Sequence, residues 1–219
     1  MRWRTRRAMI VVTALLAIGG SARGARAQKV VDRIVARVEE EIILQSDVEH
    51  LARYQVLVDG KAESDATILD RLIDQWIVRK EAEASRFPAA SDVDVERGMQ
   101  RLMRSFAKPE DFEAQRTKAG LSEMDVRQIV TVQTYLSNYL DSRFRPTVQV
   151  DEQAIKDFYE QAVIPRAKAR GQEPPSFETA RDVIQEALIQ QGINEQADKW
   201  LKESRERLSI TKLLDESGR

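Results

Sequence analysis

Twenty residues near the start of the chain read Val30-Val-Asp-Arg-Ile-Val-Ala-Arg-Val-Glu-Glu-Glu-Ile-Ile-Leu-Gln-Ser-Asp-Val-Glu49. Ile34, Ala36 and Val38 alternate with the residues between them, which is the period of a half-buried strand. The acidic run 39–41 lacks the Asn or Gly that a tight hairpin turn favours. The pattern therefore predicts two short strands over 30–44 and leaves the geometry of the turn open.

Helical stretches follow these strands. Ser46, with Glu49 three positions later, has the pattern of a capping box and predicts a helix from Asp47 to about Val58, ending near Gly60. Four further helices are predicted by serine caps or by a proline in the first turn. They begin after Ser64, after Ser91, at Pro109 and after Ser122. The first, third and fourth of these end before Phe87-Pro88, at Gly120 and near Arg145-Pro146, and the second carries an apolar face from Val95 to Phe106.

The C-terminal third begins with an extended Val148-Gln-Val150 that enters a short helix through Asp151. A linker containing Pro165, Gly171, Pro174 and Pro175 follows, and it is too short for an independent domain, which needs about 50 residues. Ser176 then opens a long helix that contains Gly192. The last predicted element is a strand within 208–214.

The first 27 residues have the pattern of an export signal. Four arginines lie between positions 2 and 7, an uncharged and mostly apolar run follows over 8–20, and Ala25-Arg26-Ala27 provides small residues for cleavage before Gln28. The apolar run is shorter than the ~20 residues of a membrane span. We therefore expect a periplasmic protein without a stable membrane anchor after cleavage.

Composition limits the possible functions. The chain carries 35 basic and 36 acidic side chains, and six of the arginines lie in 1–27, so residues 28–219 have an acidic balance of −7. An acidic protein has no general attraction for phosphates, so no nucleic-acid partner is expected. The chain has no cysteine, which excludes disulfides and thiolate chemistry. Helical periodicity dominates, and the fold class is predicted as mainly α with a small antiparallel β element.

The order of strands, capped helices and closing strand resembles the SurA family of periplasmic chaperones. Residues 28–145 resemble the N-terminal helical chaperone region, and 177–219 resemble the long helix and strand that complete the same core. Residues 146–176 stand where the family has parvulin-type prolyl isomerase domains, so the resemblance implies a SurA-like core without them. It also implies that the N- and C-terminal strands meet in one sheet, with the terminal helix packed on the helix that carries Trp76.

No enzymatic activity is predicted. Parvulin catalysis uses a histidine-rich pocket, whereas this chain has a single histidine, His50, and no match to the isomerase motif. His50 has the chemistry of a general base, but the sequence favours a surface position on a helix beside Glu49. Glu39-Glu40-Glu41 has the charge to attract a cation, although adjacent acids are typical of a solvated turn. No metal and no cofactor are expected.

The resemblance implies an ATP-independent holdase that binds unfolded outer-membrane or envelope proteins. An alternative is an interaction module that docks on one folded envelope partner. A holdase needs an accessible apolar wall, and methionine adapts to varied clients. The candidate client-binding residues are Met99, Leu102, Met103 and Phe106, with Tyr54, Leu57 and Val58 as a second set. Both sets also fit an ordinary helical core face.

Overall fold

A computed structural model describes residues 32–214. The predicted signal peptide, its cleavage site before Gln28, the first residues of the predicted strand region and residues 215–219 lie outside this part of the chain. Within the described part, no helix is both long and apolar enough to cross a membrane.

Three short strands form one antiparallel sheet: β1 (Ile34–Val38), β2 (Glu41–Leu44) and β3 (Ile210–Lys212). Their order is β2-β1-β3, so β1 pairs with the strand that follows it and with the strand at the far end of the chain. The predicted fold class, mainly α with a small antiparallel β element made by the N- and C-terminal strands, is confirmed.

The predicted alternation along β1 is wrong at its start. The register shifts between Ile34 and Ala36, so Val35 and Ala36 are both fully buried while Ile34 is 40% exposed. Such a bulge inserts one extra residue and changes which face the following side chains occupy. The two-residue turn puts Glu39 at a φ of 52°, and the Glu39 N–H donates to the Ser209 carbonyl at 2.9 Å. This contact with the C-terminal segment supports a left-handed conformation that glutamate rarely adopts.

The helices account for most of the remaining described residues. Serine or aspartate side chains accept a backbone N–H at the start of five of them, which confirms the caps predicted at Ser64, Ser91, Ser122, Asp151 and Ser176. The helices are α1 (Gln45–Asp59), α2 (Asp65–Ala84), α3 (Asp92–Arg104), α4 (Pro109–Lys118), α5 (Glu123–Phe144), α6 (Glu152–Phe158), α7 (Ile164–Ala169) and α8 (Phe177–Arg207).

The predicted capping box of the first helix is wrong. The helix begins at Gln45, and the Asp47 carboxylate accepts the N–H of Leu44 at 2.9 Å. Ser46 lies inside the first turn, where its hydroxyl donates to the carboxylate of Asp32. An aspartate in the first turn is a suitable acceptor because the N-terminal amides of a helix lack partners within the helix.

Residues 146–176 are more helical than predicted. A π-helical turn over Tyr159–Val163 joins α6 to α7, so helical structure continues to Ala169. Pro165 lies just after the π-helical turn and donates no backbone N–H. Beyond α7 the chain turns at Gly171, with a φ of 66°, and returns to α8. The segment packs on α8 through its own apolar cluster of Ile155, Ala180 and Ile184.

The expected packing of the terminal helix on the Trp76 helix is present. Trp200 and Leu201 of α8 pack against a cluster that includes Val78 and Ala82 of α2. Gly192 allows α8 to approach the segment after α5, because a Cβ at this position would lie 2.6 Å from Cγ1 of Val148. The glycine inside this long helix therefore has a packing function.

Candidate functional site

An open groove of about 500 Å³ lies between β2, α1, α2 and α5. Ile42 lines it with 47% of its surface exposed, four further apolar lining residues are half-buried, and Ile43 and Leu51 are buried. A hollow of this volume that stays open to solvent falls within the size range of ligand-binding clefts. The apolar side chains that line it are Ile42, Ile43, Leu51, Leu72, Trp76, Ile129 and Val132.

Two facing helices form the walls of the groove. Leu72 and Trp76 lie one turn apart on α2, and Ile129 and Val132 have the equivalent spacing on α5, so each pair shares a helix face. Core contacts are made by neighbouring residues such as Ile73 and the 4%-exposed Val130. The apolar stripe of each helix is thus wider than the core it meets, and its outer edge becomes a groove wall.

Glu41 holds the indole of Trp76 in place. Its Oε2 accepts the indole Nε1–H at 2.9 Å, and its carboxylate also pairs with Lys80 and, at 3.8 Å, with Arg79. The hydrogen bond from Lys80, followed by that from Trp76, holds the pKa of Glu41 below its ordinary value. Glu41 therefore stays ionised and satisfies the only polar atom of the tryptophan side chain, which leaves the rest of the ring as apolar surface.

Amide and basic side chains form the rim. Gln128 and Gln133 of α5 line the groove opposite His50 and Arg53 of α1. The Tyr54 hydroxyl donates to Oε1 of Gln133 at 3.2 Å, and burial raises the pKa of Tyr54, so the phenol remains a neutral donor. The rim therefore offers side chains that can bond to a polypeptide backbone.

A second hollow of about 280 Å³ lies between α2, α5 and α8. Gln75 and Gln133 line both hollows, so the two adjoin at this pair of amides. Its apolar residues are Val78, Leu136, Leu140, Ile193 and Leu201. Helices α2 and α5 therefore line two hollows, which are separated by the polar side chains of Gln75 and Gln133.

Three of the candidate client-binding residues are buried. Met99 is 4% exposed, Tyr54 is 8% exposed and Leu57 is 1% exposed, and all three belong to the main core cluster. Their helix faces meet the other helices of the core. They are therefore not surface contacts for a client in this conformation, although Tyr54 orients Gln133 at the rim.

The other four candidates lie outside the groove. Leu102 and Phe106 are half-buried against the core, and the rings of Phe106 and Phe112 are 5.4 Å apart. Met103 is 37% exposed and Val58 is 42% exposed. Neither lines the groove. The seven candidate residues therefore do not form one continuous surface site.

Sequence reasoning missed the groove residues because their pattern is that of a core. Leu72, Trp76 and Ile129 lie at the helical spacing of a core-facing stripe, and each packs partly against the main core. Periodicity identifies the apolar face of a helix, but not the part of that face which its neighbours leave uncovered. A cluster of glutamines beside apolar residues was the available signal, at Gln128 and Gln133.

Two acids of the turn 39–41 make hydrogen bonds within the protein, and the histidine lies on a helix beside the groove. Oε1 of Glu39 accepts the Ser209 N–H at 2.7 Å, and Glu41 bonds to α2 as described above. His50 is half-buried on the groove wall formed by α1. In residues 32–214, no three His, Cys or acidic side chains are grouped as a metal site would require.

No protein-family model matches the chain. One curated relative is the protein named Chaperone SurA of Pseudomonas aeruginosa, with 30% identity over 136 residues. The chain is similar to a SurA chaperone. The aligned part covers 58% of this chain and 32% of that relative, so the chain spans about a third of the length of the protein it matches. The similarity agrees with the resemblance seen in the order of the elements.

Proposed function

We propose that this protein is an ATP-independent chaperone of the periplasm that binds unfolded segments of outer-membrane or envelope proteins, without prolyl isomerase activity. The observation that carries the proposal is the open apolar groove between α2 and α5. The similarity to a SurA chaperone supports the same function.

The physical basis of capture is the removal of apolar surface from water. Each Å² of apolar area that a client buries contributes about 25 cal/mol, before the cost of ordering the client is subtracted. The groove walls are already held by the core and by the Glu41–Trp76 hydrogen bond. Little protein ordering therefore opposes binding, and the glutamine rim can satisfy the polar backbone of the client.

Suppression of aggregation tests this proposal. The purified protein, in several-fold excess, is mixed with an outer-membrane β-barrel protein diluted from urea, and light scattering is followed without ATP. We expect slower aggregation, and we expect Ile129→Gln combined with Ile42→Gln to lose most of the effect. Val183→Gln is the matched control, because Val183 is 71% exposed on α8 and lies outside the groove. Unchanged scattering at every excess would contradict the proposal.

Two further measurements separate the alternatives. Catalysed isomerisation of a prolyl peptide above the uncatalysed rate would contradict the absence of isomerase activity. Capture of one folded envelope protein, with no affinity for unfolded chains, would replace the chaperone function with that of an interaction module.

A further inference from the structure

The groove follows the free edge of the sheet. In the order β2-β1-β3, strand β2 pairs with β1 on one side, and no described strand pairs with its other side. Glu41, Ile42 and Ile43 all line the groove. Successive side chains of a strand point to opposite faces, so a hollow that meets three successive residues lies along the edge of the strand.

The backbone of Ile42 points toward this edge. Glu39 N–H donates to the carbonyl of Ser209, and Leu213 N–H donates to that of Val35, so the odd-numbered residues of β1 direct their polar groups toward β3. Arg37 belongs to this set, and the residue opposite it on β2 is Ile42. In an antiparallel pair, the residue opposite Arg37 then directs its N–H and C=O away from β1.

The N–H and C=O of Ile42 have no hydrogen-bond partner among residues 32–214. The next outward N–H, that of Leu44, is already bonded to the Asp47 carboxylate at 2.9 Å. The free edge therefore offers one donor and one acceptor, both on Ile42, beside an apolar groove. An extended chain can bond to both groups, whereas a helix has already used its own N–H and C=O groups.

The charges near the edge favour acidic residues in the partner. The Glu41 carboxylate is bonded to Lys80 and Trp76, and the Asp47 carboxylate caps α1, so both acids of the groove are engaged within the protein. Arg53 donates to the Glu49 carbonyl at 3.4 Å and makes no ion pair with a described carboxylate. Asp125 interacts with Arg53 only from a distance and is itself bonded to Ser122 at 2.7 Å.

We infer that the groove binds an extended polypeptide as a fourth strand added to β2. The inference rests on the proposed chaperone function. The segment has apolar side chains at alternate positions, which enter the groove against Leu72, Trp76 and Ile129, and acidic residues near Arg53 and Arg79. Its main chain exchanges two hydrogen bonds with Ile42. The preferred clients are thus strand-forming segments with period-two hydrophobicity.

Backbone methylation of the client tests this inference directly. The probe is a fluorescein-labelled nine-residue peptide with alternating apolar and polar residues and a glutamate near each end. One derivative is N-methylated at two odd positions and the other at two even positions. Strand addition requires N–H groups on one edge only. We expect one derivative to bind about tenfold more weakly and the other to bind within twofold of the parent, because one lost hydrogen bond changes affinity by about that factor. Equal affinities of the two derivatives would overturn the inference.

A pair of protein variants gives an independent measurement. Ile42→Pro removes the outward N–H without touching the pairing with β1, and proline is tolerated at such an edge. Ile42→Val retains the N–H and most of the apolar surface. We expect about fivefold to tenfold weaker peptide binding for the proline variant and less than twofold for valine. Circular dichroism melting establishes that each variant is folded, and the methylated peptides do not depend on a variant at all.

The outcomes also separate this inference from the proposed function. Peptide binding that Ile129→Gln weakens, but that methylation leaves unchanged, would support the groove and reject strand addition. No binding of the parent peptide or of an unfolded barrel protein would reject the chaperone function itself. Replacing the terminal glutamates of the peptide by lysines should weaken binding, and stronger binding of the lysine peptide would overturn the assigned charge preference.

Discussion

Nη1 of Arg205 donates to Oδ1 of Asp70 at 2.7 Å, although 135 residues separate the two in sequence. The same guanidinium donates to Asp74 and to the backbone carbonyl of Asp70, each at 2.7 Å. Lys212 of β3 contacts the same Asp70 oxygen at 2.7 Å. These four residues, the terminal polar cluster, join the end of α8 and β3 to α2.

Replacement of Arg205 should therefore loosen the C-terminal elements. Arg205→Ala removes three hydrogen bonds, two of them to carboxylates, and the cluster is only partly buried. We expect a loss of about 1–2 kcal/mol in the free energy of unfolding, measured by urea denaturation. Arg205→Lys, which keeps the charge but not the planar fork, should lose less. An alanine variant with unchanged stability would show that the cluster is energetically neutral.

Acid should weaken the same cluster. Burial alone would raise the pKa of Asp70, but hydrogen bonds from Arg205 and Lys212 outweigh burial and lower the pKa below the ordinary value. The contribution of Asp70 to stability is thus present above the unfolded-state pKa of about 3.9 and is lost as the pH falls through the folded-state value. Urea midpoints at pH 7 and pH 3 should differ more for the unmodified protein than for Asp70→Asn. Equal differences would contradict this role.

Gly192→Ala should destabilise the protein, against the usual helix preference for alanine. The added Cβ would lie 2.6 Å from Cγ1 of Val148, so the segment after α5 must shift. We expect a loss of about 1–3 kcal/mol by thermal or urea unfolding. Gly192→Ala should cost less stability when it is added to Val148→Ala than when it is made in the unmodified protein, because the smaller side chain at 148 leaves room for the new Cβ. If the losses in the free energy of unfolding of the two single variants simply add in the double variant, the contact between position 192 and Val148 does not cause the destabilisation.

Removal of residues 208–219 should destabilise the whole fold. Leu208, Ile210 and Leu214 pack against the main core, and β3 pairs with β1. Burial of these side chains contributes about 1 kcal/mol each, so we expect a loss of about 3 kcal/mol or more in calorimetry. Thr211→Pro in the full chain, which removes only one strand hydrogen bond, should cost less. Unchanged melting of the truncated protein would show that the closing strand is dispensable.

The position of client contacts can be mapped by photo-crosslinking. A crosslinker at Ile129, on the groove wall, should capture an unfolded barrel protein more efficiently than one at Met103, on the exposed surface of α3. The Ile42→Gln substitution should reduce capture from position 129 and leave capture from 103 unchanged. More efficient capture from position 103 than from position 129 would indicate that clients bind the α3 surface instead of the groove.

Local chemistry explains why much of the fold was predictable. Ser64, Ser91 and Ser122 begin helices where the sequence indicates, because a cap depends on residues only three positions apart. The first helix was the exception: the Asp47 carboxylate caps it at Leu44, and Asp32, which accepts from the Ser46 hydroxyl, lies 14 residues away in sequence. The bulge at Val35 was equally invisible, since it depends on the register with β2.

The candidate site was less predictable than the fold. Met99 and Trp76 both lie on apolar helix faces, yet Met99 is buried in the core and Trp76 lines a groove. Helical periodicity is the same in both cases. The difference arises from the neighbouring elements, since β2, α1 and α5 border the open surface beside Trp76 while the core surrounds Met99.

From the linear chain alone came the mainly α class and most helix starts, because caps, periods and turns are local properties of a few adjacent residues, while the meeting of the terminal strands was implied by the resemblance to the SurA family. The open groove, the outward backbone of Ile42 and the contact of Arg205 with Asp70 arose from folding. Each of them depends on how segments far apart in sequence cover one another, and burial is a property of that packing rather than of any single segment.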